Sequence, residues 1–194
     1  QQFLNFFSFN QNLQTASFYR PLSTQIFFFL FQTIFGLNSS VYYLFGLLLF
    51  AYSIYLVKKF SSQYLRSDIC NLSSFLYGVS VSNFTRVYFL SAFQELFLVV
   101  FSLLTLINFR SKPKLSLLFF VLALLSKETA IVLPALILLL NYKYIVSSKF
   151  KNLRSEILIS VIYLYFRIFH FGLAVGDSYM WAFSLVKATT TLMW

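Results

Sequence analysis

The apolar run 115–140, LSLLFFVLALLSKETAIVLPALILLL, limits the fold more than any other stretch of this chain. It is interrupted once, by Ser126-Lys127-Glu128-Thr129. As one straight membrane helix it would hold Lys127 and Glu128 near the bilayer centre, where a single charge costs about 2.5–3.5 kcal/mol. Both flanks are basic: Arg110, Lys112 and Lys114 precede the run, and Lys143, Lys149, Lys151 and Arg154 follow it. Basic flanks favour the cytoplasmic side, so both ends belong on one side and the run crosses an even number of times. The expectation is a hairpin with Lys127-Glu128 at its far tip and a bend favoured by Pro134, which lacks an N–H. Each limb is short against the roughly 20 residues a full span needs, which puts the tip in a recess below the outer surface.

The rest of the chain reads the same way. Of its 194 residues 59% are hydrophobic, 22% aromatic and only 10% charged, which specifies a polytopic helical membrane protein rather than a soluble domain. The net charge of +10 sits mostly in three short basic clusters between apolar runs. That is the positive-inside pattern, and it excludes nucleic acid as the reason for the basicity. The single cysteine, Cys70, forbids an internal disulfide and is expected to be buried packing. Gln1 opens a polar-aromatic stretch with no initiator Met or cleavable signal, and Met193-Trp194 closes inside another apolar segment. Residues 1–194 are therefore expected to be part of one transmembrane domain that continues at both ends.

Residues 1–19 are rich in Asn, Gln and Phe and hold no acidic residue. Apolar runs follow at 22–35, 41–57, 69–81, 90–107, the central hairpin and 157–171, and a polar turn at 172–177 leads into 179–194. If the clusters at Lys58-Lys59 with Arg66, at 110–114 and at 143–154 are cytoplasmic, four polar spots face the other side: Arg20, 80–86, 126–129 and 172–177. Parity then makes 22–36 an aromatic helix along the outer interface; the alternative is that it spans, with the N-terminal end cytoplasmic.

Tyr19-Arg20-Pro21-Leu22, Phe35-Gly36-Leu37-Asn38, Val41-Tyr42-Tyr43-Leu44 and Gln94-Glu95-Leu96 occur in that order. They are followed by 124–130 (LLSKETA), Leu133-Pro134, 138–141 and Tyr163-Leu164-Tyr165-Phe166-Arg167. Together these resemble the GT-C type membrane glycosyltransferases, in the branch of the protein O-mannosyltransferases and their bacterial relatives, over nearly the whole chain. The resemblance implies an all-α transmembrane bundle, about six spanning helices plus an interfacial one in this stretch. It implies transfer of one sugar from a polyprenyl-phosphate donor to a protein or glycolipid acceptor on the outer face, in a multi-pass protein of a bacterial plasma membrane. A divalent metal ion is a candidate cofactor; no other is implied. In that family an acidic residue of the first outer loop serves as base or metal ligand. Here nothing acidic precedes Arg20, so either the base lies upstream of Gln1 or this copy is altered. Thr85 aligns with a second acidic position of the family.

The leaving group of such a reaction is a phosphate, and fixed cations in a partly dehydrated place would stabilise it. Arg20 suits the task through its planar fork, with Pro21 fixing the backbone beside it; the plain alternative is an Arg snorkelling to headgroups. Lys127 is a second phosphate contact, with Glu128 holding it or binding an ion or hydroxyl. The alternative is a mutually neutralising Lys127–Glu128 pair at the tip. Arg167, within an apolar helix, belongs to the donor pocket or to a structural pair with Asp177 or Glu128. His170 is read as packing or a hydrogen-bonded tip, Glu95 as a helix-end charge rather than a catalyst, with service to the second outer loop as its alternative, and Ser126 as a cap for the second limb. The rival functions are a transporter or lipid-binding membrane protein, with Lys127, Glu128 and Arg167 lining a path, and a scaffold without catalysis.

Overall fold

The computed structural model describes residues 20–144 and 150–169. Among them there are helices and short turns and no strand. Helix α1 covers Pro21–Phe35, and its first turn, Pro21–Ile26, is π-helical. Then come α2 (Ser39–Ser61), α3 (Ser67–Val79) and α4 (Ser82–Tyr88). A 3₁₀ turn at Leu90–Ala92 leads into α5 (Phe93–Asn108), followed by α6 (Pro113–Ser126). A second 3₁₀ turn, Glu128–Val132, precedes α7 (Leu133–Tyr144), and α8 is Phe150–Phe169. Two described helices, Ser39–Ser61 and Leu90–Asn108, are long and apolar enough to cross a membrane by length and composition. Pro21–Phe35, Pro113–Ser126 and Glu128–Asn141 are apolar but shorter.

The connections follow from local chemistry. Gly36 closes α1 at φ 62, a left-handed value that glycine takes without strain. Asn38 then caps α2, its side chain accepting from the Ser40 N–H at 3.2 Å. Tyr42 Oη donates to the Gly36 carbonyl at 3.0 Å and fastens the corner. Pro113 opens α6 at a position where its missing N–H removes no helical bond.

Packing partners fix the directions. Gly46 of α2 lies under the Phe93 ring of α5, where an added Cβ would come within 2.7 Å of it. Further along, Leu56 clusters with Val100 and Ile107, and Gln63 Nε2 donates to the Ile107 carbonyl at 3.2 Å. So α2 and α5 run side by side in one direction. Helix α3 returns along α2, with Tyr77 Oη 3.1 Å from Ser53 Oγ, and α6 returns along α5, with Phe119 on Phe101 and Ser116 on Thr105. Cys70 is a free, buried thiol on α3.

The apolar run 115–140 does break and return. Helix α6 leaves the connection that holds Arg110, and α7 comes back to it, because Arg110 Nε donates to Asn141 Oδ1 at 2.6 Å. Leu153 of α8 packs there with Leu106, Phe109 and Ile137, while Ile159 and Tyr163 pack on the cluster of Phe120, Leu124 and Leu133. Helix α8 thus runs back toward the hairpin tip.

Helix α1 lies across the tip end of the bundle instead of along it. Phe27 touches Tyr42 and Phe45 in the first turns of α2 and Phe93 and Phe97 in the first turns of α5, with ring centroids 5.3–6.4 Å apart. Arg20 and the 126–129 segment therefore share one end. The connections rich in Lys and Arg, beginning at Lys58-Lys59 and at Arg110, lie at the other. The 80–86 segment comes beside Leu47 and Phe50 in the same half of α2 as the tip; 172–177 lies outside the described residues.

Candidate functional site

The tip is built by a local change of backbone. Helix α6 stops at Ser126 because Lys127 turns extended, at φ −159 and ψ 138. Ser126 does not cap the second limb as expected: its Oγ donates back to the Leu122 carbonyl at 2.8 Å, and the 3₁₀ turn has no side-chain cap. The exposed end of α6 is satisfied from outside. Ser23 Oγ of α1 donates to the Ser126 carbonyl at 2.7 Å, in a fully buried contact, and so occupies an acceptor that the helix end leaves open. Pro134 falls in the first turn of α7, where it is tolerated.

Arg20 stands just before α1. Its carbonyl accepts from the Thr24 N–H at 3.2 Å and from Thr24 Oγ1 at 2.6 Å, within the π-helical turn that Pro21 opens. Its guanidinium meets Glu128 with both edges of the fork, Nε to Oε2 at 2.8 Å and Nη2 to Oε1 at 2.6 Å. The remaining arm, Nη1, donates to Gln94 Oε1 at 2.6 Å. Beside this pair Lys127 Nζ forms an ion pair with Glu95 Oε1. The side chains keep only 13% and 29% exposure for Arg20 and Glu128, and 19% and 27% for Lys127 and Glu95.

The expected Lys127–Glu128 pairing is therefore replaced by a crossed one. An extended residue sends its side chain to the side opposite its neighbour's. Lys127 accordingly turns to α5 and Glu128 to Arg20. Gln94 and Glu95, also consecutive, receive one cation each. Glu95 is thus more than a helix-end charge. Among the described residues two cations face two carboxylates, so these four balance one another, and their partial burial leaves the attractions less screened than on an open surface.

Of the four binding residues expected from sequence, Arg20, Lys127 and Glu128 come together. Arg167 lies on α8, one turn beyond Tyr163, with its backbone toward the tip; its side chain falls outside the description, as do His170 and Asp177. Thr85 is exposed on α4, and its hydroxyl donates to the Ser82 carbonyl of its own turn, at 3.4 Å. Gln94 and Glu95 are the residues that sequence reasoning undervalued. The signal is in the sequence: an amide and an acid open an otherwise apolar helix on the same side as Arg20 and Lys127.

A divalent metal fits this cluster poorly. Both carboxylates are engaged by cations, and among the described residues no group of three or more His, Cys, Asp or Glu side chains could hold a metal ion. What the arrangement can do is exchange partners, since a bidentate carboxylate on an arginine fork occupies the positions that two phosphate oxygens would take. In comparisons with protein-family models, curated proteins and solved structures, the chain matches none.

Proposed function

We propose that this chain is part of a multi-pass membrane glycosyltransferase, with about six spans in this stretch, in a bacterial plasma membrane. It moves a sugar from a polyprenyl-phosphate donor to a protein or glycolipid hydroxyl at the face opposite the lysine-rich turns. One observation carries the reading: the Arg20 fork holds Glu128 in the geometry of a phosphate, at the tip end of the bundle, with Lys127 one residue away. The resemblance of the 19–22, 124–134 and 163–167 stretches to GT-C enzymes supplies the reaction class.

The donor phosphate replaces Glu128 on Arg20, and Lys127 adds a second cation. The acceptor oxygen attacks the anomeric carbon, forming the new C–O bond. The bond from that carbon to the phosphate oxygen breaks, and polyprenyl phosphate leaves on the two cations. The hydroxyl proton goes to a carboxylate, for which Glu128 is placed once Arg20 has released it. The test is transfer from labelled polyprenyl-phosphate sugars by protein in native membranes, comparing wild type with Arg20→Ala and Lys127→Ala. Loss of at least tenfold in each supports the reading, and equal turnover in all three removes it.

A second reading, a lipid-binding or transport protein without catalysis, rests on a cavity of about 430 Å³ between α2, α3 and α4. Its walls include Leu47, Phe50, Val79, Val81 and Phe84, a lining suited to a hydrocarbon chain. Tight binding of the donor lipid with no sugar transfer would favour it.

A further inference from the structure

Glu156 belongs to neither long apolar helix, precedes the run 157–171, and takes no part in the site at the tip. It is nevertheless 1% exposed, packed by the second turn of α8 against α6. Ser116 Oγ lies 3.0 Å from its Oε1 and also 3.0 Å from the Thr105 carbonyl oxygen of α5. Oε2 is buried with no hydrogen-bond partner. Among the described side chains the nearby cations are directed elsewhere or exposed: Arg110 donates to Asn141 of α7, and Lys112, Lys114 and Arg154 are exposed, while the side chains of Lys143 on α7 and Lys151 on α8 lie outside the description. Among the described residues no ion pair reaches Glu156.

A hydroxyl has one proton to give. Were Glu156 ionised, Ser116 would give it to the carboxylate and leave the Thr105 carbonyl, and a fully buried charge would rest on that one donor. Buried carboxylates that stay charged take several donors or a cation. With a proton on Oε1 the bonds form a chain: Glu156 donates to Ser116, and Ser116 donates to Thr105. Oε2 is then a neutral carbonyl oxygen, for which burial without a partner is far less unfavourable.

We infer that Glu156 is a buried proton-binding site, a neutral carboxylic acid whose proton links α8 through Ser116 to α5. Burial raises its pKa from the ordinary 4.5 to about 7, with the Ser116 hydrogen bond pulling the other way. Because the folded chain holds this proton at pH values where the unfolded chain has lost it, the stabilisation is complete at the acid end. It fades as pH rises from about 4.5 to about 7 and is gone above that.

Infrared spectra of the full chain in lipid nanodiscs, carrying ¹³C-labelled glutamate, test this directly. At pH 6 a protonated-carboxyl band should be present, exchange slowly in D₂O, fade on titration through pH 7 and be missing from Glu156→Gln. The thermal midpoint of wild type should fall by a few degrees across that range, while that of Glu156→Gln stays level. A spectrum without the band at pH 6, or one that Glu156→Gln leaves unchanged, overturns the inference. The wild-type titration stands by itself if the variant does not fold.

Discussion

The two ends of this bundle carry acids in opposite ways. At the tip, Glu95 and Glu128 are partly exposed and each faces a cation held by a different element. At the other end Glu156 is fully buried, and its carboxyl group meets a hydroxyl, that of Ser116. Compensation by a fixed counter-charge leaves a group that can change partners when an anion arrives. Compensation by a proton leaves a group that responds to pH and to little else. An apolar bundle tolerates both, because each removes net charge from a place where an uncompensated one is expensive.

The hardest way to break this contrast is Arg20→Ala. It takes the fork from Glu128 and from Gln94, and it should lower unfolding free energy by about 2–3 kcal/mol, below the full penalty for a dry pair because both side chains keep some exposure. Denaturant titration in detergent reads this. Arg20→Lys should restore the charge yet recover only part of the loss, since one ammonium cannot match the fork. Ser116→Ala comes next, at about 1–2 kcal/mol, because it deprives both Thr105 and Glu156 of the hydroxyl. Its effect should be larger at pH 9, where the hydroxyl is the one donor to a charged carboxylate, than at pH 5, because the Ser116 bond holds the Glu156 pKa down.

The second tip pair should show a coupling of about 0.5–1.5 kcal/mol in a double-mutant cycle of Lys127→Ala and Glu95→Ala. Added salt should weaken that coupling and leave the Ser116 effect alone. The smallest change expected is Glu156→Gln at pH 5, within about 0.5 kcal/mol of wild type, because the amide keeps the shape and the neutrality of the protonated acid. A large loss there would mean that Glu156 works as an anion and that the two ends are alike after all.

Where the helices stop was largely legible in the sequence. Lys127-Glu128 inside an apolar run and Gly36 with Asn38 ahead of α2 are strong local signals, and the backbone turns at each of them, whereas Pro134 stands inside the first turn of α7. Which residue pairs with which was not legible. Lys127 and Glu128 are neighbours in the chain, so they suggest each other, but one extended residue separates their side chains. Glu95 looked like a dipole partner because helix ends attract acids whether or not a cation waits across the bundle. Glu156 gave no warning at all. It sits two residues after Arg154 in what reads as a solvated basic turn, and only the continuation of α8 through that stretch turns it inward.

The hydroxyl of Ser23 deserves a last consequence. It grips the carbonyl at the end of α6, while three residues earlier on the same strand of chain Arg20 grips Glu128. The crosswise helix and the hairpin are therefore clasped at two adjacent rungs. Any change that pulls Arg20 from Glu128 would load the Ser23 clasp next, and beyond it along the cross-member stands the corner that Tyr42 locks.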